Sequence, residues 1–533
     1  MAPVSLLDCP DELINDIVER LPGSAIKAVR ESCKRLNRIA SPYLFPVLYL
    51  SCHQLDLNVF EMVSENPRLI GGVRELVIDD TTVPLPDTIP DWHTYQKVVT
   101  LPEHPDDRCA HLGLRPGEAL DPRDMNDEPS KVIPTREGWE LFRCTAMSHH
   151  DNRLAHADAK ALKAALPHFQ KLERLVVSNR NANDNFSEGA QSRVSSSPVV
   201  RKWRRFQAEH GETVPLAPKC DWQASGFGID DRSRVNTLDW FAEYLNSIMS
   251  NIYAYTQGSD EFLDIRTDKF ETLDYQYDTP SSELFALIRE ARVMHLALLV
   301  LEEPKLQSQL TEFRVDASHD TLSKDYHPGL PITLFEKQSP FVQRLASSFA
   351  LAKNITQFRL VLSSFAEHRF GEWIISEGGV YRTLSSMTQL EELYLEPHGM
   401  SVFPACLSAD MTFPRLRRVH FSCGHLHPDT LVDFVERHSS TLKSLIIEHC
   451  SLYPDDGDED EDLWSYVIQE LTDFHDEGIL KLEGAIVDNV FEGIPINRCG
   501  RNGSLKKLGF TWTYDGDGGW VEQPDDLEEE SSE

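Results

Sequence analysis

Near the start of the chain, apolar residues recur at intervals of three and four, the spacing of one helical face. Leu13, Ile14, Ile17, Val18 and Leu21 form a first stripe; Ile26, Val29, Cys33 and Leu36 form a second. Pro10 suits the first position of a helix, where its missing N–H costs nothing. Asp11 and Glu12 then place negative charge where the helix dipole favours it. Pro22-Gly23 stops this helix, and Ser24 reads as the cap of the next, whose other sides carry Lys27, Arg30, Lys34, Arg35 and Arg38. Ser41-Pro42 closes it, and Leu44, Phe45, Leu48 and Leu50 lead onward. Residues 1–50 are expected to form a compact helical domain.

From about residue 73 the apolar period shortens to two, the mark of half-buried strands. Segments beginning at Val73, Leu172, Phe270, Leu310, Ile355, Leu390, Leu416, Leu442 and Leu505 share one shape: apolar, two mostly polar, apolar, one free, apolar. Three of them start 26 residues apart, at 390, 416 and 442, with helix-like stretches between strands at 284–291 and 429–437. One strand plus one helix cannot bury its own apolar face, so neighbouring units must stack. The spacing falls within the period of about 20–29 residues typical of leucine-rich repeats. About 98 residues separate the first three strands, so long insertions interrupt the pattern. Two of these, 81–138 and 179–234, are rich in Pro, Asp, Asn and Ser and read as loops, with Trp139, Trp203 and Trp222 expected to pack parts of them back. The expected fold class is α/β: an N-terminal three-helix domain, an irregular leucine-rich-repeat-like solenoid with long loop insertions over 51–520, and an acidic tail over 521–533.

Composition narrows the function. The 533 residues are 41 % apolar, enough for a large core. The net charge is -34, and two acidic runs, 455–462 and 525–533, hold 13 of those charges. The rest of the chain is still acidic enough to repel a phosphate backbone, so no nucleic-acid partner is expected. The most apolar stretch, Met294–Leu301, is far shorter than the roughly 20 residues of a membrane span, and no signal segment opens the chain, so no membrane partner is expected. Ten scattered cysteines without a regular framework suit a reducing compartment, cytoplasmic or nuclear.

Candidate chemistry is sparse. Cys423, His425, His427, His449 and Cys450 are zinc-type ligands, but their spacing fits no common paired-knuckle pattern. His104, Cys109, His111 and the pair His149-His150 sit in polar, loop-like sequence. No nucleophile elbow, phosphate-cradling loop or dinucleotide fingerprint occurs. No catalytic residue, metal or cofactor is expected, and an enzyme without a recognisable motif is the remote alternative. The one basic cluster, Arg201-Lys-Trp-Arg-Arg205, follows Ser195-Ser-Ser-Pro198 and reads as a solvated helix face with Trp203 buried; an import or phospho-regulated patch is the alternative.

The N-terminal segment resembles an F-box. The matching residues are Cys9-Pro-Asp-Glu-Leu-Ile14, Ile17, Leu21-Pro22, Ile26, Val29 and Cys33-Lys-Arg-Leu-Asn-Arg-Ile-Ala40, continuing through Ser41-Pro-Tyr-Leu-Phe-Pro-Val-Leu-Tyr-Leu50 in the manner of fungal F-box proteins. The resemblance covers less than a tenth of the chain, and Cys9 and Glu31 depart from the usual apolar residues. It implies a substrate-recognition adaptor of a Skp–cullin–F-box ubiquitin ligase. Pro10, Leu13, Ile14, Ile17, Leu21, Ile26, Val29 and Lys34 would meet a Skp-type adaptor and, through it, cullin. The repeat body would hold a protein target on its concave strand face or rim loops. A protein-interaction scaffold with a vestigial F-box is the alternative.

Overall fold

The computed structural model describes residues 6–79, 92, 136–178, 197–199, 201–202, 205, 293–315, 330–331, 335, 340–363, 378–397, 402–408, 410–422, 424–448, 450–452, 463–482, 484–488, 512–514 and 520–522. They fall into two compact units, one of the described residues up to Leu310 and one of those from Thr311 onward. The expected strands at 270 and 505, the helix at 284–291, most of both insertions and the tail from 523 lie outside the described residues.

The first unit opens with a 3-10 turn, Leu6–Asp8, and the helices α1 (Asp11–Glu19), α2 (Gly23–Ser32) and α3 (Lys34–Ala40). Prolines occupy the cap positions of α1 and α2, so Pro22 takes the place expected for Ser24. The second stripe is split between two helices: Cys33 is extended (φ −163°) and its sulfur accepts the Leu36 N–H. Ile14, Val18, Ile26, Leu36, Ile39 and Ala40 pack into a small core edged by Cys9, Leu21, Val29 and Cys33. Each large aliphatic side chain buried there contributes about 1.5–3 kcal/mol.

The chain continues through β1 (Val47–Leu50), α4 (Gln54–Ser64), α5 (Pro67–Ile70), β2 (Glu75–Asp79), α6 (Arg136–Leu154), α7 (Ala157–Ala165), β3 (Arg174–Ser178), α8 (residues 293–301) and α9 (Pro304–Gln307). The last four residues of the expected helical domain are therefore a strand. β1, β2 and β3 pair in parallel, with Val47 opposite Glu75 and Glu75 opposite Arg174. All five residues of β2 are buried, as in a parallel strand covered on both faces. Between α5 and β2, Gly72 touches the backbone of the 3-10 turn Ser41–Tyr43: a Cβ there would lie 1.7 Å from the Pro42 carbonyl oxygen.

The second unit holds β4 (Glu312–Val315), β5 (Leu330–Pro331), α10 (Pro340–Leu351), β6 (Gln357–Ser363), α11 (Gly379–Ser385), β7 (Glu392–Glu396) and β8 (Arg418–Ser422). It continues with β9 (His425–Leu426), α12 (Pro428–His438), β10 (Ser444–Glu448), β11 (Ser451–Leu452), α13 (Leu463–Asp476), β12 (Gly484–Asp488), β13 (Trp512–Tyr514) and β14 (Trp520–Glu522). Strands β4, β6, β7, β8, β10 and β12 lie side by side in that order, all parallel. The 26-residue spacing becomes register: Glu392 lies opposite Arg418, and Arg418 opposite Ser444. Alternate residues, such as Phe313, Phe358, Leu393, Val419 and Leu445, turn into the core. Phe313 and Phe358 stack there with centroids 5.6 Å apart, and Phe349 of α10 meets both edge-on. His438 at the end of α12 is buried with both ring nitrogens in use: Nδ1–H donates to the Phe434 carbonyl and Nε2 accepts the Phe413 N–H.

The α/β class with parallel strands is thus present in both units. No described helix is long and apolar enough to cross a membrane. The contact at Gly72 gives a direct test. Gly72→Ala sets a methyl against backbone that cannot rotate away and is expected to cost about 3 kcal/mol or more. Gly23→Ala, with nothing within 4 Å of the new Cβ, is expected to change stability by less than about 1 kcal/mol. Thermal melts of the two variants that coincide would show that the close approach is not made in solution.

Candidate functional site

Successive residues on a helix are about 100° apart, so the wide apolar stripe of α1 is divided between two directions. Ile14 and Val18 point into the small core and are 0 % and 1 % exposed. Leu13 and Ile17, one turn apart, face outward at 53 % and 43 %. Leu6 and Leu7 are exposed just ahead of them. Pro10 is exposed one turn before Leu13, and Lys34 is exposed at the start of α3. Of the expected contact residues, then, Pro10, Leu13, Ile17 and Lys34 are on the surface. Ile14 and Ile26 are buried in the chain's own core, and Leu21 and Val29 are half-buried at its edge. Cys9 also packs at that edge, while Glu31 is exposed.

A polar clamp holds this surface in place. Asp11 accepts hydrogen bonds from Arg35 Nε (3.0 Å) and Nη2 (2.6 Å) and from Arg38. The same Arg35 donates to the Leu7 and Cys9 carbonyls, tying the turn that presents Leu6 and Leu7 to α3. Hydrogen bonds from Arg35, then Arg38, hold the Asp11 carboxyl below the usual range.

The second candidate is the sheet face of the second unit turned away from its core. It carries two rungs in register: Glu312, Gln357, Glu392, Arg418, Ser444 and, two residues on, Arg314, Arg359, Tyr394, His420, Ile446. A shallow cleft of about 220 Å³ runs between them. Arg314 pairs with Glu312 at 2.9 Å, Arg418 pairs with Glu392, and the Arg359 guanidinium lies 4.0 Å over the Tyr394 ring. The Tyr394 hydroxyl is held well above its ordinary pKa, by burial and then by the charge of Glu396. This face is polar and aromatic, and most of its charged groups interact with one another.

The third is a cleft of about 370 Å³ in the first unit, between the start of α2, strand β1 and Pro198 and Arg201. The insertion returns here. Ser197, Pro198 and Val199 are buried, and the segment is helical at 198–199, 201–202 and 205. Its anchor is Asp56 of α4, 0 % exposed, which accepts the Val199 N–H at 2.9 Å and the Ser51 hydroxyl at 2.8 Å. A carboxylate is thereby set at the start of a helical turn, where the dipole favours it. Burial nevertheless pushes the Asp56 carboxyl up to about 6, against the opposing pull of Ser51, Val199 and Arg201. His53 nearby is pushed down to about 4 by burial and packs its ring on His149 at 4.7 Å.

Compared with known proteins, the chain matches no family model and no curated protein. The remaining candidates are placed by the structure alone. His149 and His150 lie in α6, not in a loop, and His149 is buried. His425 is in β9, His427 precedes α12 and Cys450 is buried; Cys423, His449, His104, Cys109 and His111 lie outside the described residues. Among the described residues no three His, Cys, Asp or Glu side chains gather as metal ligands would. Trp139 is half-buried in α6 beside Trp92, with Arg143 over its ring. Sequence reasoning missed Asp56 entirely: Ser51 is five positions away, but the Val199 N–H that it anchors is 143 positions away.

Asp56 yields a prediction with a definite sign. Its folded pKa is raised, so its proton is bound more tightly in the folded state. Its ionisation lowers stability as pH rises from about 4 to about 6, and the cost stays constant above that. Roughly two pKa units correspond to about 3 kcal/mol. Asp56→Asn keeps an acceptor for the Val199 N–H and removes the charge. Its melting temperature relative to the parent is expected to rise between pH 4.5 and pH 7.5. A variant that melts lower by the same margin at both pH values would show that the carboxylate charge is not costly.

Proposed function

We propose that the chain is a non-catalytic adaptor that docks through its N-terminal helices to a Skp-type subunit of a cullin ubiquitin ligase and holds a protein target with its strand-rich body. The observation that carries this reading is the division of α1: after Ile14 and Val18 have filled the core, Leu13 and Ile17 are left uncovered beside Leu6 and Leu7, in the segment that resembles an F-box. Four exposed large aliphatic side chains on so small a helical unit are what a partner groove takes up. The body is read as a degenerate leucine-rich-repeat solenoid, supported by the in-register parallel strands β7, β8 and β10 at 26-residue spacing. Its open sheet face, with Arg359, Tyr394 and Arg418, has the Arg and Tyr content of protein-binding surfaces. Ubiquitin chemistry would reside on other subunits, in the cytoplasm or nucleus, and the contribution of this chain is a raised effective concentration of target near the donor. The exposed Glu31 favours a second reading, a scaffold whose F-box no longer recruits cullin.

The test is capture of the purified Skp-type adaptor by the full chain. Wild type is expected to bind, and Leu13→Asp/Ile17→Asp to weaken capture at least tenfold. Both residues are exposed, so the melting temperature should change by no more than about 0.5 kcal/mol would produce. Failure of wild type to bind would favour the scaffold, and undiminished capture by the double variant would remove α1 from the interface.

A further inference from the structure

The cleft beside α2 has a chemistry that the adaptor reading does not use. Its wall is apolar: Phe45, Val47 and Val59 are half-buried and Pro198 closes one side. Its charged lining is Lys27 and Arg201, both exposed, with no carboxylate among the described lining residues. That is unusual in a chain with 86 acidic and 52 basic side chains. Exposed Lys202 and Arg205 extend the positive edge along the returning segment. Among the described residues none of these four cations has an ion pair or a side-chain hydrogen bond. The buried Asp56 fixes the Val199 backbone and the Arg201 N–H donates to the Ser197 carbonyl, so the Arg201 backbone is anchored at the mouth.

We propose that this cleft is the docking site of an acidic, apolar-containing segment of a partner protein, its carboxylates on Lys27 and Arg201 and a bulky side chain on the wall of Phe45, Val47 and Val59. Apolar cover and cationic rim together select both halves of such a segment; a bare polyanion would leave the wall wet. The overall charge of -34 works against an acidic segment at long range, but exposed charges beyond about 8 Å are largely screened at physiological salt, so the cations at the cleft decide binding at contact. The inference is independent of adaptor capture, which uses the outward face of α1.

The experiment is a fluorescence-anisotropy titration of the full chain with a labelled dodecapeptide alternating Asp or Glu with Leu and Phe. A control peptide carries Asn and Gln in place of the acids. The acidic peptide is expected to bind at least tenfold more tightly than the control and to weaken with salt. Lys27→Glu/Arg201→Glu is expected to lose at least tenfold, and Phe45→Ala a smaller factor without changing the salt dependence. No binding by wild type, or equal binding by the charge-reversed variant, overturns the proposal. So does full displacement by inorganic phosphate or by a single-stranded oligonucleotide at the peptide's own concentration, since either would mark a general anion site.

Discussion

Between the Pro42 carbonyl and the α carbon of Gly72 there is room for a hydrogen atom and nothing larger. That one approach seats the turn after α3 against the turn before β2. With it, the three N-terminal helices become part of the first unit rather than a bead on a string. Once Pro42 is seated, β1 follows within five residues and pairs with β2 along its whole length. The seat joins the helical core of Ile14, Val18, Ile26, Leu36, Ile39 and Ala40 to the strands that follow. The nearby Arg74–Glu19 ion pair spans the same junction, but it is exposed and worth little by comparison. Shape is the constraint here, and charge trims it.

The two units treat their strands differently, and the difference decides where contact surfaces can lie. In the first, β2 is buried throughout and β3 nearly so, both faces being covered. The surfaces proposed above for its contacts are the flank of α1 and the cleft beside α2. In the second, the strands alternate, with one set of side chains in a phenylalanine-rich core and the other in charged and aromatic rungs. Ion pairs and a guanidinium–ring contact link neighbouring residues of those rungs, while Nε of Arg314 and of Arg359 is buried without a hydrogen-bond acceptor among the described residues.

Much of this was legible in the residues. The alternating segments at 73, 172, 310, 355, 390, 416 and 442 each contain a strand beginning two residues after the first apolar position. The 26-residue interval translated into register because identical unit lengths bring equivalent residues side by side. Periodicity could not say which half of the α1 stripe would be inside. Leu13, Ile14, Ile17 and Val18 span about 140°, wider than one neighbour can cover, and the choice is made by α3 and Leu36, far along the chain. The second stripe looked continuous because apolar spacing is blind to a single extended residue such as Cys33. Helix α6 was missed because its residues are mostly polar, with only a narrow buried side that includes Ala146 and His149.

Asp56 is the clearest case of a residue whose role no local pattern carries. A carboxylate at that depth is costly, but an apolar residue in its place would leave two buried donors without an acceptor. What the carboxylate supplies is direction: it can satisfy the Val199 N–H and the Ser51 hydroxyl at once, and an apolar side chain can satisfy neither. The returning segment is thereby held by one defined residue rather than by generic burial. Defined backbone placement sets Arg201 on the same cleft as Lys27. The energetic penalty and the geometric gain have the same source, because only a fully buried charge is both expensive and rigidly coordinated.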